Sequence, residues 1–414
     1  MMSEFDEELA TRLDAIREQG LYRELRRINS PQLPHTQVDN KTLLNFSSND
    51  YLGLANHPLL KEAATRGIER YGAGSGASRL ICGSLAPHHE LEQTIAAFKG
   101  TEAAIAFSSG YAAALGMICA LIDAHDVIVI DKLVHACIVD AARLCGAELR
   151  VFPHNDLNGL AKILRWADRR NAGLICKRRP RTLIVTESVF SMDGDFALLS
   201  ELLELKEQHG AWLMLDEAHA TGLYGVKRRG LAEEFGVAER IEVQMGTLGK
   251  ALGTAGGYIC GSRALIDYLV NRARTFIFST APLPAAAAAA TAAIHFIQSD
   301  EGQMRRNQLW ARVDQVKNGL IAAGFVLPPV RSAIIPLVIG DESRAVEAAA
   351  ALREQGVFVP AIRYPTVPRG QARLRLTVSA AHAAADVSQL VAAVSNLKLE
   401  IGRFEPRHAS TRPA

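Results

Sequence analysis

Short apolar runs alternate with longer amphipathic stretches through the middle of the chain. Between about residues 87 and 260 the runs are AAIAF, DVIVI, LRVF, RTLIVT, AWLMLD, VQMG and GYICG, and several of the stretches between them have helical character. Continuous apolar strands of this kind are buried on both faces, as in a parallel sheet covered by crossover helices. The pattern therefore predicts an α/β fold with a mainly parallel central sheet flanked by helices.

The two ends of the chain follow other patterns. Phe5, Leu9, Leu13 and Ile16 recur at helical spacing, which predicts an amphipathic helix in an arm that packs on the body. Beyond residue 325, the strand-like runs SAIIPLVIG and ARLRLTVS alternate with helical patterns and predict a smaller α+β domain.

These changes of pattern divide the chain into four parts. Residues 1–50 form the N-terminal helical arm with a short strand, and residues 51–284 form a large α/β domain. Residues 285–400 form the small C-terminal α+β domain. The polar, proline-containing residues 401–414 are expected to be a disordered tail.

One uncharged segment is long enough to be compared with a membrane-spanning helix. No Asp, Glu, Lys or Arg occurs between Thr275 and Ser299, but Pro282 and Pro284 interrupt this segment and alanine dominates it. A spanning helix needs about 20 strongly apolar residues. A buried loop leading into an alanine-rich helix fits better, and the charged N-terminus does not resemble a secretory signal, so we expect a cytoplasmic protein.

Composition excludes some classes of function. The net charge of +2 gives no strong attraction to nucleic acid, and the basic cluster at 169–181 is interpreted as a solvated loop of undetermined role. The six cysteines contain no C-x-x-C pair, which favours buried thiols in a reducing compartment over disulfides or a metal site.

The stretch AWLMLDEAHATG places chemistry at the end of a predicted strand. Asp216 ends the run and His219 follows three residues later. Ligands of open parallel sheets bind just outside the carboxyl ends of the strands, so both side chains are candidates for a ligand site. The alternative, about equally favoured on these residues alone, is a helix-capping aspartate with an exposed histidine.

Lys250 lies among small residues in the stretch MGTLGKALGTAGGYICG. Small neighbours let the flat face of a ligand approach the backbone, and a desolvated lysine has a lowered pKa that frees its amine as a nucleophile. The alternative is a glycine-rich loop with an exposed lysine. A phosphate-binding P-loop is excluded, because the glycine spacing is wrong and Ala251 replaces the required hydroxyl residue.

Three further sites remain ambiguous when each is considered alone. Ser109 and Gly110 lead from a strand into a helix, either as a plain cap or as an anion-binding helix N-terminus. His135 near the start of the next helix either caps it or faces the site. Arg373 and Arg375 share one strand face, where they either bind a carboxylate or lie at the surface.

Taken together, these groups match the needs of a single cofactor. An amine nucleophile, an acidic partner, a flat imidazole and a phosphate cradle suit a cofactor with an aldehyde, a pyridine nitrogen and a phosphate. Pyridoxal phosphate (PLP) carries all three. No metal is expected.

The motifs TESVFSMDGD, LDEAHATG and GTLGKALG, in this order, resemble those of the α-oxoamine synthases. The likeness extends from about residue 10 to residue 395 and implies a fold-type I PLP enzyme that joins an amino acid to an acyl thioester with loss of carbon dioxide. The family resemblance also implies a homodimer with active sites at the subunit interface.

Within the family, LNFSSNDYLGL and IRYPTVPRGQARLRLTVSAAH are most similar to the branch of biotin synthesis, which uses L-alanine and a pimeloyl thioester. The carrier of that acyl group would be coenzyme A or an acyl carrier protein. The runner-up branch joins glycine to acetyl-CoA.

The resemblance implies roles around the cofactor. Lys250 would bond to its aldehyde, and Asp216 would bind its pyridine nitrogen. His219 would contact the ring hydroxyl and His135 would stack on the ring; these four residues are the implied catalytic set. Ser191 would lie beside the ring.

The remaining implied roles concern the phosphate and the substrates. Gly110, Tyr111 and Thr247 would hold the phosphate, together with Ser279 and Thr280 of the neighbouring subunit. The substrate-binding residues would be His135, Asn49 and Arg375 for the amino acid, and Arg23 and Thr366 for the acyl group.

Overall fold

The structure is a computed structural model that describes residues 3–173 and 178–401. Residues 174–177 of the basic cluster and residues 402–414 of the predicted tail lie outside the described residues. The helices are α1 (Glu4–Glu18), α2 (Pro58–Tyr71), α3 (Ala86–Lys99), α4 (Gly110–Leu121), α5 (Ala136–Leu144), α6 (Leu157–Gly173), α7 (Leu199–Gln208), α8 (Leu231–Glu234), α9 (Arg263–Arg272), α10 (Arg274–Ile277), α11 (Pro284–Gln298), α12 (Asp300–Ala322), α13 (Glu342–Glu354) and α14 (Ala384–Ile401). The strands are β1 (His35–Val38), β2 (Lys41–Asn45), β3 (Ala103–Phe107), β4 (Val127–Asp131), β5 (Glu148–Phe152), β6 (Thr182–Glu187), β7 (Trp212–Asp216), β8 (Val243–Thr247), β9 (Gly257–Gly261), β10 (Ile334–Gly340), β11 (Val357–Phe358), β12 (Ala361–Ile362) and β13 (Ala372–Thr377).

A seven-stranded sheet, counted over the described residues, is the centre of the larger unit. Its strand order is β3-β9-β8-β7-β6-β4-β5. The β4–β5, β4–β6, β6–β7 and β7–β8 pairs are parallel, whereas β9 is antiparallel to both neighbours. Each strand coincides with one of the seven apolar runs, so the predicted fold class is confirmed.

The apolar runs form strands because both of their faces are covered. Every residue of β3, β4, β6 and β9 is buried. One group of buried apolar side chains joins the sheet to α4, α5 and α9. The side chains of Ser109 and Ser262 cap α4 and α9 and thereby fix where these covering helices begin.

The uncharged segment near residue 290 is the helix α11, and it packs closely on α2. A Cβ atom added to Gly67 of α2 would lie 3.0 Å from the Cα of Ala285. The small alanine side chains of α11 thus allow the two helices to pack closely. In the described ranges, every helix is too short or too polar to span a bilayer.

The smaller unit contains two three-stranded sheets. In one, β13 pairs antiparallel with β10 and β12, and in the other β2 pairs with β1 and β11. The runs SAIIPLVIG and ARLRLTVS form β10 and β13, as predicted. Because β2 pairs with β11, the N-terminal strands and the C-terminal region belong to one body.

The chain folds into two compact units, whose limits differ from the predicted ones. The smaller unit comprises the chain up to Tyr51, Met192–Gly194 and the chain from Gln308; the larger comprises Leu52–Ser191 and Asp195–Asn307. The predicted limits at 50, 284 and 400 followed changes in sequence pattern, and as domain boundaries they remain a prediction.

The N-terminal helix exists as predicted, but its predicted packing is wrong for the single chain. No residue of α1 is buried, and Phe5 is 69% exposed. Leu9, Leu13 and Ile16 of the same stripe are also exposed. Nothing in the described chain covers this apolar face.

A buried ion pair anchors the turn that follows β7. The side chains of Lys99, at the end of α3, and Glu217 have no exposed surface and form a salt bridge. Lys99 Nζ also donates to the carbonyl oxygen of Arg229 at 2.6 Å, and Glu217 Oε1 accepts from the N–H of Ala232 at 2.9 Å. These bonds satisfy both charges and fix the backbone directly after Asp216.

We predict that Lys99→Met destabilises the protein strongly, because it leaves Glu217 as a buried charge without its partner. The expected loss is about 3–5 kcal/mol in the free energy of unfolding, measured by urea denaturation. The double variant Lys99→Met/Glu217→Leu removes both charges and should recover part of that loss. A loss below about 1 kcal/mol for Lys99→Met would contradict the assigned role of the pair.

Candidate active site

The predicted site residues of the larger unit follow the carboxyl ends of its sheet strands. His135 comes after β4, Ser191 after β6 and Lys250 after β8, while Asp216 is the last residue of β7. Parallel strands present their carboxyl ends at one edge of the sheet, so the topology gathers these side chains. The larger unit therefore has its candidate active site at this edge.

Lys250 and His219 are in direct contact. The Nζ atom of Lys250 lies 2.8 Å from Nε2 of His219. His219 is buried and Lys250 is half-buried, so neither the exposed lysine nor the exposed histidine of the alternative interpretations is found. The amine is positioned by an imidazole in a site with limited access to water.

Asp216 is a buried carboxylate opposite that amine. Its residue surface is 5% exposed, and Oδ1 accepts a hydrogen bond from the N–H of Ala218 at 2.8 Å. Burial raises the pKa of Asp216, and the positive charge of Lys250 opposes this rise. The charged states of the two groups are thus linked.

Glu187 is a site residue that the sequence analysis missed. It ends β6 and lies directly beside Asp216 in the parallel register. Its Oε2 accepts from the N–H of Ser191 at 3.2 Å, whereas Oε1 is buried with no hydrogen-bond partner among the described residues. Burial, reinforced by the negative charge of Asp216, raises the pKa of Glu187 to about 8. The signal that could have found it is the one used for Asp216, a carboxylate at the end of an apolar strand.

His135 both caps a helix and belongs to the site. Its Nδ1 accepts from the N–H of Cys137 at 3.2 Å and lies 3.0 Å from the Cys137 sulfur. These contacts assign the ring proton to Nε2. His135 is exposed, but desolvation of the part that packs against the protein lowers its pKa, so the neutral ring is favoured. Asp216 and Lys250 are both near enough to act on this pKa.

The start of α4 has the backbone geometry of a possible anion site. Ser109 caps the helix by accepting from the N–H of Ala112 at 3.1 Å, and Gly110 begins it. A Cβ added to Gly257 would lie 2.5 Å from the N and Cα atoms of Gly110, so β9 approaches this turn closely because Gly257 lacks a side chain. Thr247 lies beside Gly110, its Oγ1 3.9 Å from where a Gly110 Cβ would be. Backbone N–H groups in a first helical turn suit a phosphate.

Three predicted residues of the larger unit stand apart from this cluster. Tyr111 is exposed, and its hydroxyl donates to Asp140 at 2.5 Å. Ser279 and Thr280 follow α10, where Thr280 pairs with Ser78 in an isolated bridge. The hydroxyl of Ser279 donates to the carbonyl oxygen of Thr280 at 3.1 Å.

The predicted substrate residues belong to the smaller unit. Arg375 is buried and donates to Asn49 Oδ1 at 3.1 Å and to Thr377 Oγ1 at 2.8 Å. Arg373 is buried too, but it forms a salt bridge with Asp193. Both arginines are buried, so the alternative of surface exposure is not found. Arg23 and Thr366 are exposed.

Comparison with known proteins identifies the family of this chain. The sequence profile of the aminotransferase class I and II family matches residues 41–394. An 8-amino-7-oxononanoate synthase of Geotalea daltonii is 46% identical over 401 residues, which cover 97% of this chain and 99% of the relative. A second 8-amino-7-oxononanoate synthase, from Anaeromyxobacter sp. (strain K), is 48% identical over 402 residues and covers 97% and 98% of the two chains.

Solved structures show the same fold. A serine palmitoyltransferase of S. paucimobilis with bound PLP and myriocin superposes with a TM-score of 0.88 at 28% identity, covering 97% of this chain and 99% of that one. An 8-amino-7-oxononanoate synthase of Francisella tularensis superposes with a TM-score of 0.72 at 28% identity, covering 86% and 98%. The fold is that of a fold-type I PLP enzyme. The chain belongs to the aminotransferase class I and II family and, within it, to the α-oxoamine synthases.

The residues at the site fit PLP. An amine, a buried carboxylate and the open amides of a helix start are the groups that the aldehyde, the ring nitrogen and the phosphate require. At the same edge, Oε1 of Glu187 is a buried polar atom without a hydrogen-bond partner among the described residues.

We predict that Glu187 makes the cofactor-free protein less stable as pH rises. Between about pH 4.5 and about pH 8, the folded protein keeps a proton on this carboxyl that the unfolded chain has released. The free energy of unfolding should then fall with pH, by at most about 1.4 kcal/mol per pH unit for one proton. Glu187→Gln cannot titrate and should lose this share of the slope in urea denaturation.

The control is Glu207→Gln, which removes an exposed carboxylate of α7 and should leave that slope nearly unchanged. A Glu187→Gln protein with the same pH slope as the unaltered chain would show that Glu187 is ionised when folded.

Proposed function

We propose that this enzyme condenses L-alanine with a pimeloyl thioester to give 8-amino-7-oxononanoate, carbon dioxide and the free thiol, a step of biotin synthesis. The observation that carries the proposal is the contact of Lys250 with His219 beside the buried carboxylates Asp216 and Glu187. Relatives that bear the name of this activity match almost the whole chain, which supports the choice of substrates.

We propose for the site residues the roles that the family resemblance implies. Lys250 holds the cofactor covalently, and Asp216 pairs with its ring nitrogen. His219 binds the ring hydroxyl, and Ser191 lies beside it. The phosphate is held by the start of α4 at Gly110 and Tyr111, by Thr247, and by Ser279 and Thr280 of a second copy of the chain.

PLP, once bound, supplies an electron-withdrawing ring that accepts the negative charge left when the substrate Cα loses a proton. Lys250 takes that proton with its amine, and the adjacent His219 keeps the amine in place. The cationic amine of Lys250 favours the ionised form of Asp216, and a buried carboxylate of this kind contributes several kcal/mol to carbanion stability. His135, neutral and protonated on Nε2, covers the ring and offers one hydrogen-bond donor to the substrate.

The substrates would be oriented by the smaller unit. Arg375, held by Asn49 and Thr377, binds the carboxylate of the amino acid together with Asn49. Arg23 and Thr366 contact the acyl group. The acyl carrier is either coenzyme A or an acyl carrier protein, and the enzyme acts in the cytoplasm without nucleic acid.

A homodimer is part of the proposal. Ser279 and Thr280 lie in exposed chain near the large exposed side chains Phe278 and Leu283, 70% and 53% exposed. The uncovered apolar stripe of α1 is a further surface that a second copy would bury. Burial of apolar surface at these places would stabilise the pair.

We predict that Lys250→Ala abolishes turnover and the visible absorbance of the bound cofactor, because the amine is both the point of attachment and the base. Absorption spectra and product formation should be measured together. Lys61→Ala, which removes an exposed lysine on α2, should change neither. Retained absorbance and activity in Lys250→Ala would refute the assignment.

We predict that the purified enzyme forms product from alanine and a pimeloyl thioester and far less from glycine and acetyl-CoA. Mass spectrometry of each amino acid–thioester mixture tests this. Product only with glycine and acetyl-CoA would identify a glycine C-acetyltransferase instead, and an α-keto-acid-dependent half-reaction would identify an aminotransferase. A colourless protein without either activity would indicate a module that has lost catalysis.

A further inference from the structure

The ring of His135 caps α5 in place of the usual hydroxyl or carboxylate side chain. His135 is the N-cap residue, and its Nδ1 accepts a hydrogen bond from the N–H of Cys137 at 3.2 Å. A neutral imidazole has one nitrogen that accepts and one that carries a proton. Because Nδ1 accepts this bond, the ring proton must be on Nε2.

The thiol of the same Cys137 reaches the same nitrogen. Its Sγ atom lies 3.0 Å from Nδ1 of His135, and Cys137 is only 2% exposed. Burial, and after it the negative charges of Asp216 and Glu187, raise the pKa of this thiol, so it keeps its proton. Since Nδ1 has no proton to give, the thiol is the donor of this contact. Two donors of one residue therefore converge on Nδ1.

Two donors on one nitrogen oppose its protonation. A proton on Nδ1 would point at the N–H and the S–H of Cys137, so both hydrogen bonds would have to break before His135 could become a cation. Cys137 thus favours the neutral ring, in addition to the desolvation that lowers the pKa of His135.

The charged groups around the ring act in opposite directions. Asp216 favours the protonated ring of His135, Lys250 disfavours it, and Asp140 favours it, so these effects partly cancel. The backbone N–H of His135 bonds to Glu187, which ties the start of α5 to the end of β6. These charges act on the ring through space, whereas Cys137 acts directly on Nδ1.

We propose that Cys137 is a positioning residue for the reaction, whose thiol and N–H together hold the ring of His135 neutral and its proton on Nε2. The inference rests on the proposed function, in which His135 covers the cofactor ring and offers one donor to the substrate. It deepens that function by assigning the residue that keeps this donor available. Cys137 acts through His135 and needs no contact of its own with cofactor or substrate.

The test replaces Cys137 in three ways. Cys137→Ala removes the thiol donor, Cys137→Val removes the donor but fills the space, and Cys137→Ser restores a donor at the same position. Two-bond proton–nitrogen NMR spectra of the holoenzyme with nitrogen-labelled histidine report both the position of the ring proton and the pKa. His135→Gln identifies the signal of His135. In the unaltered protein, the neutral ring should carry its proton on Nε2.

The variants should differ by the donor that they retain. The alanine and valine variants should raise the pKa of His135 by about 0.5 pH unit, as for loss of one weak hydrogen bond, and the serine variant should restore it. The acid limb of the pH profile of kcat/KM, measured with L-alanine and a pimeloyl thioester, should move by the same amount. Below that pKa, kcat/KM then falls about threefold, whereas near the optimum pH it changes by less than about twofold.

Cys260→Ala is the matched control. Cys260 is also a buried thiol, but its Sγ donates to the carbonyl oxygen of Gln244 at 3.5 Å in the central sheet. Its removal should leave the pKa of His135 and the acid limb unchanged. Circular dichroism and the visible absorbance of the bound cofactor check that each variant is folded and loaded.

Several results would overturn this role of Cys137. A ring proton on Nδ1 in the unaltered protein would show that the thiol accepts, and an unchanged pKa of His135 in Cys137→Ala would show that it contributes nothing. Recovery by valine but not by serine would assign Cys137 to packing alone. A shifted pKa with an unmoved acid limb would separate the residue from catalysis.

Failure of the proposed function is distinct from failure of this inference. The NMR spectra require no substrate, so they report on Cys137 and His135 whatever the reaction is. If the proposed function fails, the unaltered enzyme forms no product from L-alanine and any pimeloyl thioester.

Discussion

The balance of charge at the carboxyl edge of the large sheet is the constraint on which the site depends. Asp216 and Glu187 end neighbouring strands in register, so two carboxylates are buried side by side. Only one of them can be ionised at low cost, and the amine of Lys250 is the cation that favours Asp216. Much of the surrounding structure maintains this arrangement.

Several hydrogen bonds and one buried ion pair hold these charged groups in place. The salt bridge between Lys99 and Glu217 fixes the turn after Asp216, and Lys99 also donates a hydrogen bond to the carbonyl oxygen of Arg229. The contact of Lys250 with His219 positions the amine, and the N–H of Cys137 fixes the orientation of His135. The environment of Lys250 is therefore set by charges and hydrogen bonds from several segments that are distant in sequence.

Local patterns were sufficient to predict most of the fold. Each apolar run is a strand of the central sheet. A strand that is buried on both faces is apolar at every position, so it can be recognised in the sequence. Lys250, Asp216, His135 and His219 could be found because strand ends in such a sheet are places where ligands bind. The uncharged segment of α11 was also interpretable from its alanines and prolines.

Features that depend on long-range pairing were not predictable in this way. The partnership of β2 with β11, and hence the grouping of the N-terminal strands with the C-terminal region, leaves no periodic signal. The apolar stripe of α1 predicts a buried face but not which chain buries it. Glu187 ends an apolar run as Asp216 does, but its position beside Asp216 follows only from the register of the two strands.

The central claim is that the amine of residue 250 is the group joined to PLP. Borohydride reduction of the holoenzyme, followed by proteolysis and mass spectrometry of the peptides, locates the attachment directly. The account predicts a phosphopyridoxyl group on the peptide that contains Lys250 and on no other. Attachment at a different lysine, with Lys250 recovered unmodified, would contradict it.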